Sequence, residues 1–218
     1  MPQYDLVSLT NVPQQRRSEA FLQRVLGAAE SVLLREGIDG FTIRAVATEG
    51  KVSLGGIYRR FVDRDELLAA IHAHRLQVME RRIVLALRDA RGASLPEFVA
   101  VFVETLAASF QDEGQLLASL APPYPRLAEA ARARALQSQE LLVSEFLGAA
   151  SAPLKVEAHP DPRAAVAFVL QMSLAMFTRR ILFPQSMGED GGDWLVLTHN
   201  VSDAATAYLM WRRPVRTH

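Results

Sequence analysis

The sequence contains no cysteine. That excludes a disulfide framework and any thiolate metal site. It also has little uninterrupted apolar sequence. The longest stretch, "AAVAFVLQMSLAMF" from Ala164 to Phe177, is broken by Gln171 and followed by Arg179 and Arg180. At ~1.5 Å per residue that stretch is too short for a bilayer, and it reads as a buried core helix, not a membrane partner. The N-terminus has no basic start followed by an apolar run, so no secretory signal is read and a cytoplasmic protein is expected. There is no net charge: 24 Lys and Arg balance 24 Asp and Glu. A protein that coats nucleic acid over its whole surface is thereby disfavoured. No Gly-x-Ser-x-Gly elbow, Gly-rich phosphate loop or His-Glu-x-x-His occurs, so an enzyme has almost no residue support and no cofactor is expected. His72 and His74 are two apart and would point in different directions on a helix. Zinc ligands on one helix prefer spacings of three or four, so no metal site is expected either. "MGEDGGD" lacks the spacing of a calcium loop.

What is present is helix. The chain has 218 residues, half of them apolar, enough for one or two domains with a real core. Residues 1–15 show no periodicity and read as a flexible arm. From Arg16 to Glu36, Phe21, Leu22, Val25, Leu26, Ala29, Val32 and Leu33 follow a helical period, with Gly37 as the stop. Thr42 and Ser53 look like N-caps of two short helices, Ile43 to Thr48 and Leu54 to about Phe61. Asp63 caps a long one that Gly92 ends. Helical segments continue with "LPEFVAVFVETLAASFQ", a short "GQLLASLA", "PRLAEAARARALQSQELLVSEFLGAA", a segment opening at Asp161-Pro162, and one from about Trp194 to Arg212. The sum is about nine helices in an all-α chain, with no repeat.

Charge is uneven. Residues 1–91 carry 14 Lys/Arg against 11 Asp/Glu, or +3, and residues 92–218 carry 10 against 13, or −3. Between Lys51 and Arg64 there are four cations (Lys51, Arg59, Arg60, Arg64) and one acid, Asp63. This excess falls on "TIRAVATEGKVSLGGIYRRF", two short helices joined by a tight turn, the ingredients of a helix-turn-helix. Val46, Ala47, Val52, Ile57 and Phe61 would face inward. Ser53, Leu54, Gly55, Gly56, Tyr58, Arg59 and Arg60 would face elsewhere. The N-terminal part of the second helix of such a pair enters the major groove. Glycines there let the backbone approach closely. A tyrosine hydroxyl suits a phosphate oxygen, and arginine suits a guanine edge or a phosphate. For any single residue a loop glycine or a solvated cation is the plainer explanation; the ordered set is not explained that way.

"GFTIRAVA", "VSLGGIYRRF" and "DRDELL", between Phe21 and Leu68, resemble the DNA-binding domain of the TetR family of transcriptional regulators. The rest of the chain matches only as an all-helical domain of suitable length. The resemblance implies that Thr42 caps its helix and touches a phosphate, with Arg44 beside it, and that Tyr58 contacts the backbone. It implies that Gly56 and Arg59 face bases or nearby backbone and that Arg64 lies near a phosphate. One departure stands out. Similar sequences carry Ala-Gly where this one has Gly50-Lys51. A positive φ at Lys51 would suit glycine better, so Gly50 could shift the turn by one position.

The resemblance also implies an N-terminal three-helix helix-turn-helix domain, 16–62, and a C-terminal ligand-binding and dimerisation domain, 63–218. Phe98, Phe102, Phe110, Met79, Met172 and Met176 would make an apolar cavity, with His72, Arg75, Tyr124 and Gln171 as polar anchors; plain core packing is the alternative for each apolar residue. The segment from Pro162 to Phe183 is apolar on nearly every face and must be covered on more than one side. The last helix carries a stripe of Trp194, Leu197, Val201, Ala204, Tyr208 and Trp211. An intrachain core would explain that stripe. The resemblance favours a homodimer through the last two helices, with Phe168 and Met172 contributing. The expected function is a ligand-responsive regulator, a repressor released from double-stranded DNA with a palindromic operator by a small apolar effector. The rival is a helical interaction scaffold whose helix-turn-helix is no longer used.

Overall fold

The computed structural model describes residues 7–119, 125–150, 159–183 and 193–211. Eight helices follow one another: α1 (Val7–Gly40), α2 (Ile43–Glu49), α3 (Leu54–Tyr58), α4 (Arg64–Asp89), α5 (Leu95–Ser119), α6 (Pro125–Ala149), α7 (Pro162–Leu182) and α8 (Trp194–Met210). No strand occurs among the described residues. The chain divides into two compact units, Met1–His72 and Ala73–His218. The division falls inside α4, not at its start. Leu67, Leu68 and Ile71 on the first turns of α4 are fully buried, and they lie outside the apolar cluster of the second unit, which begins at Met79.

In the first unit, α1 begins at Val7, nine residues before the apolar period starts. Periodicity reports only helix that buries a face, and residues 16–20 of α1 bury none. Gly37 interrupts α1 with φ 69°, a left-handed value that glycine adopts without a Cβ clash. α1 packs on α2, and α2 on α3. Val25, Ala29, Val32, Val46 and Ile57 are wholly buried between them, with Phe41 and Phe61 nearly so. Each large side chain taken from water in this way contributes ~1.5–3 kcal/mol.

In the second unit, α5 packs against α7 and α8, and α7 also against α6 and α8. Phe146 of α6 meets Phe98 and Phe102 of α5 edge to face, at ring separations of 4.9 and 5.3 Å. α5 is one helix where the sequence reading has two. Gly114, at the expected break, is helical and buried. A Cβ there would stand 2.9 Å from Cγ1 of Ile181 on α7. That glycine marks close approach of two helices, not a stop. α7 has 21 residues and is long and apolar enough by composition to cross a membrane, so the shorter estimate from the apolar run is corrected. Val166, Val169, Leu170 and Phe177 nonetheless bury one face of it in the helical core.

Candidate nucleic-acid interface

The caps of the paired helices form as their residue types require. Thr42 Oγ1 accepts from the Ala45 amide at 3.1 Å, and Ser53 Oγ from the Gly56 amide at 3.1 Å. Asp63 Oδ1 accepts from the Glu66 amide at 2.9 Å and so caps α4, while the Glu66 carboxylate accepts from the Val62 amide, one residue before the cap. Between α2 and α3 the chain turns through Lys51, the one non-glycine residue with positive φ (50°) among the described residues. Gly50 stays at φ −78°, so it does not shift the turn. It is needed for another reason: a Cβ on it would meet the Ala28 Cβ at 3.0 Å and two backbone carbonyls at 3.3 and 3.4 Å. Position 50 is therefore fixed by the approach of α1, and the left-handed position falls to lysine.

Ile57 and Phe61 turn inward. Leu54, Gly55, Tyr58 and Arg59 are exposed on α3 and its end, as are Thr42, Arg44, Lys51 and Ser53 around it. The side chains of Arg44, Lys51, Tyr58 and Arg59 have no partner among the described residues. Tyr58 is 55% exposed.

Three residues of the expected set serve the fold. Gly56 is buried; a Cβ there would lie 2.9 Å from Phe21 Cζ and 3.0 Å from Ser53 Oγ. It is glycine because α3 presses on α1, and the open position on this helix is Gly55, with nothing within 4 Å. Arg60 donates from Nη1 to the Ser18 carbonyl at 2.9 Å. Arg64 donates to the Ile38 carbonyl and lies over the Phe41 ring at 6.0 Å. Neither tether was readable from sequence, because the partners are 42 and 26 residues away.

The second unit rearranges the other expected sites. Phe98, Phe102, Phe110 and Met79 are buried in its core, and Met172 and Met176 pack against that core half-buried. Gln171 is exposed on α7, so it does not anchor anything in the interior. His72, the last residue of the first unit, is half-buried, and Arg75 is ion-paired to Glu113 at 3.0 Å. Tyr124 lies outside the described residues. Sequence reasoning missed the pair formed by Glu80 of α4 and Arg134 of α6, joined by two hydrogen bonds of 2.6 and 2.7 Å. Burial opposes the Glu80 charge, yet the hydrogen bonds from Arg134 and Ser138 outweigh it and hold the carboxyl below its usual range. The same bonds raise the Arg134 guanidinium. Arg82–Asp112 and Arg88–Glu145 tie α4 to α5 and α6 as well.

On α8, Leu197 and Val201 belong to the intrachain core, with Trp194 and Tyr208 packed on it. They are not an outer face. Ala204 and Trp211 are exposed, with Val196 and Ala207, and so is Phe168 on α7, together with Ala164, Ala175 and Leu182. Both helices thus carry a second apolar side. The stripe read from periodicity mixes the two: Trp194, Leu197, Val201 and Tyr208 meet the chain's own core, while Ala204 and Trp211 do not.

The sequence model described as "Bacterial regulatory proteins, tetR family" matches residues 25–71. The HTH-type nicotine-responsive transcriptional repressor HdnoR of Paenarthrobacter nicotinovorans is 36% identical over 61 residues, 28% of this chain. That match spans only 31% of the repressor's own length. Among solved structures, a Mesorhizobium loti MAFF303099 protein classed with the TetR-family transcriptional regulators superposes with a TM-score of 0.66 at 16% identity, covering 88% of this chain and 96% of that one. FadR of Bacillus subtilis, solved with stearoyl-CoA, gives a TM-score of 0.60 at 16% identity over 85% of this chain and 98% of that one. At such identities the structures share the fold.

Proposed function

We propose that this chain is a TetR-like, homodimeric repressor that binds a palindromic operator and leaves it when a small apolar effector binds; the tetR family match over residues 25–71 and the shared fold support the reading. It binds and does not catalyse. The observation that carries the reading is the group Arg44, Lys51, Tyr58 and Arg59, exposed and without partners among the described residues around a capped helix-turn-helix. Two donors with a fixed positive charge, a lysine and a phenol on one short helix pair suit phosphates and base edges. Thr42 and Ser53, whose oxygens cap the two helices, stand beside them with Leu54 and Gly55.

Dimerisation rests on the outer apolar sides of α7 and α8. Phe168 is 48% exposed and Trp211 50%. The small Ala164, Ala175, Ala204 and Ala207 on the same helices would let a second copy approach closely. A two-fold dimer reads two half-sites spaced by whole turns of the duplex, hence the palindrome. For the effector, support comes from relatives: HdnoR is nicotine-responsive, and the structurally similar FadR holds an acyl-CoA. In this chain the candidate lining is Met172 and Met176, half-buried, beside Phe110 and Phe98. α4 would carry the signal, since it runs from Arg64 in one unit to Asp89 in the other. Selection of a duplex from a random library, followed by effector titration of the complex, tests the whole. A selected sequence with two-fold symmetry, bound at one dimer per site, is the expected result. Failure to enrich any sequence would overturn it.

A further inference from the structure

α1 and the helix-turn-helix are set against each other like rungs. Ala28 stands at Gly50, where a Cβ would meet it at 3.0 Å. One rung nearer the N-terminus, Phe21 stands at Gly56. Nearer still, the Ser18 carbonyl accepts from Arg60 at 2.9 Å. Each step back along α1 is therefore a step forward along the turn and α3. Residues four apart share a helix face, so the next rung on the face of Phe21 is Arg17, with Arg16 adjoining it. α1 does not stop there; it is helical from Val7.

Residues 16–20 are all exposed. Arg16 and Arg17 have no partner among the described residues. This turn buries no apolar surface that would account for a helix here. It is nonetheless held at a definite height by the Arg60–Ser18 tether. The cleft beside it is lined by Ser18, Phe21, Gly56, Arg59 and Arg60. The exposed Arg59, which belongs to the DNA-facing group, and the Ser18 turn are thus the two walls of one groove.

We propose that Arg16 and Arg17 extend the DNA interface, gripping duplex phosphates that flank the groove entered by α3. On this view Arg60 is a positioning residue: it spends its guanidinium on the Ser18 carbonyl and so sets where Arg17 stands. The proposal rests on the reading of α3 as the DNA-reading helix and adds two contacts outside the helix-turn-helix. Phosphate is the fitting partner because long, unclamped arginines supply charge without the fixed geometry that base reading needs.

The test is the salt dependence of affinity for a selected operator duplex, measured on the full chain. Each lost phosphate contact lowers the slope of log K against log salt by ~0.9. Arg17→Ala should lower it by about one and the Arg16→Ala/Arg17→Ala double variant by about two. Arg17→Lys should keep the wild-type slope, since the charge is retained. Arg91→Ala, an exposed arginine in the second unit, should also keep it. The double variant should melt with the wild type, because both side chains are exposed. A double variant with wild-type slope and affinity, while the wild type binds its duplex normally, overturns this inference and leaves the parent reading standing. A wild type that binds no duplex overturns both.

Discussion

Lys51 carries a conflict between backbone and side chain. Its φ of 50° is the left-handed region, which costs a non-glycine residue ~1–2 kcal/mol. Lys51→Gly should therefore stabilise the chain by about 1 kcal/mol in urea unfolding, while lowering the salt slope of DNA binding by about one. Unchanged stability would mean the turn is relaxed with lysine. The sequence raised this question and could not answer it, because the answer depends on Ala28 and the Arg24 carbonyl closing on Gly50. Gly56 was legible as a glycine with a purpose, but its purpose was misread: the neighbour it makes room for is Phe21, 35 residues earlier. Gly56→Ala should cost ~1–3 kcal/mol by overpacking, and Phe21→Leu should restore part of that loss in the double variant. The Glu80–Arg134 pair had no sequence signal at all. Arg134→Met should cost about 3 kcal/mol at neutral pH, because it strands a buried carboxylate. Glu80 has a depressed folded value, so its stabilising contribution is present above the ordinary carboxyl range and is lost as pH falls through the folded value. The gap between wild type and Arg134→Met should accordingly narrow on acidification; a gap independent of pH would contradict the assignment.

At the scale of elements, caps were the most legible feature. Thr42, Ser53 and Asp63 cap the helices they were expected to cap, since each needs only a side-chain oxygen and an amide two or three residues on. Helix ends that depend on other helices were not legible. Gly114 looked like a break and is a contact with Ile181; the part of α1 before Phe21 gave no period because residues 16–20 bury no face. α8 shows the same limit differently. Both its sides are apolar, and nothing local says which one meets its own chain. Leu197→Ala, in the intrachain core, should cost ~2–5 kcal/mol of folding stability. Phe168→Asp with Trp211→Asp, on the outer sides, should shift sedimentation from dimer to monomer at a smaller cost in folding than Leu197→Ala, since Phe168 is half-exposed and touches its own chain through Tyr208 at 4.8 Å. A monomeric wild type at micromolar concentration would remove the dimer proposal.

For the whole molecule, the division inside α4 matters most. Four ion pairs join α4 to its neighbours in the second unit: Arg75–Glu113, Glu80–Arg134, Arg82–Asp112 and Arg88–Glu145. Leu67, Leu68 and Ile71 on the first turns of the same helix are buried in the first unit. On the proposed reading, an effector acts through α4, the helix shared by the two units. Its effect is bounded by its differential affinity for the two states, ~1–3 kcal/mol in typical coupling, and operator must weaken effector by the same factor. The all-helical fold class could be read from helical periods. The effector site could not, because its lining comes from helices far apart in sequence and their apolar residues look the same whether they pack a core or a ligand.

The central claim is that Arg44, Lys51, Tyr58 and Arg59 are a DNA-reading surface. The direct measurement is the affinity of the wild type and of a variant with all four changed to alanine for a selected operator duplex, from low to physiological salt, with melting curves alongside. The four side chains are exposed, so the variant should melt with the wild type. It should lose specific binding by at least two orders of magnitude, since one base contact alone carries ~1–3 kcal/mol, and its salt slope should fall by about three. A variant that melts normally and binds the duplex as tightly and with the same slope as the wild type would contradict the claim.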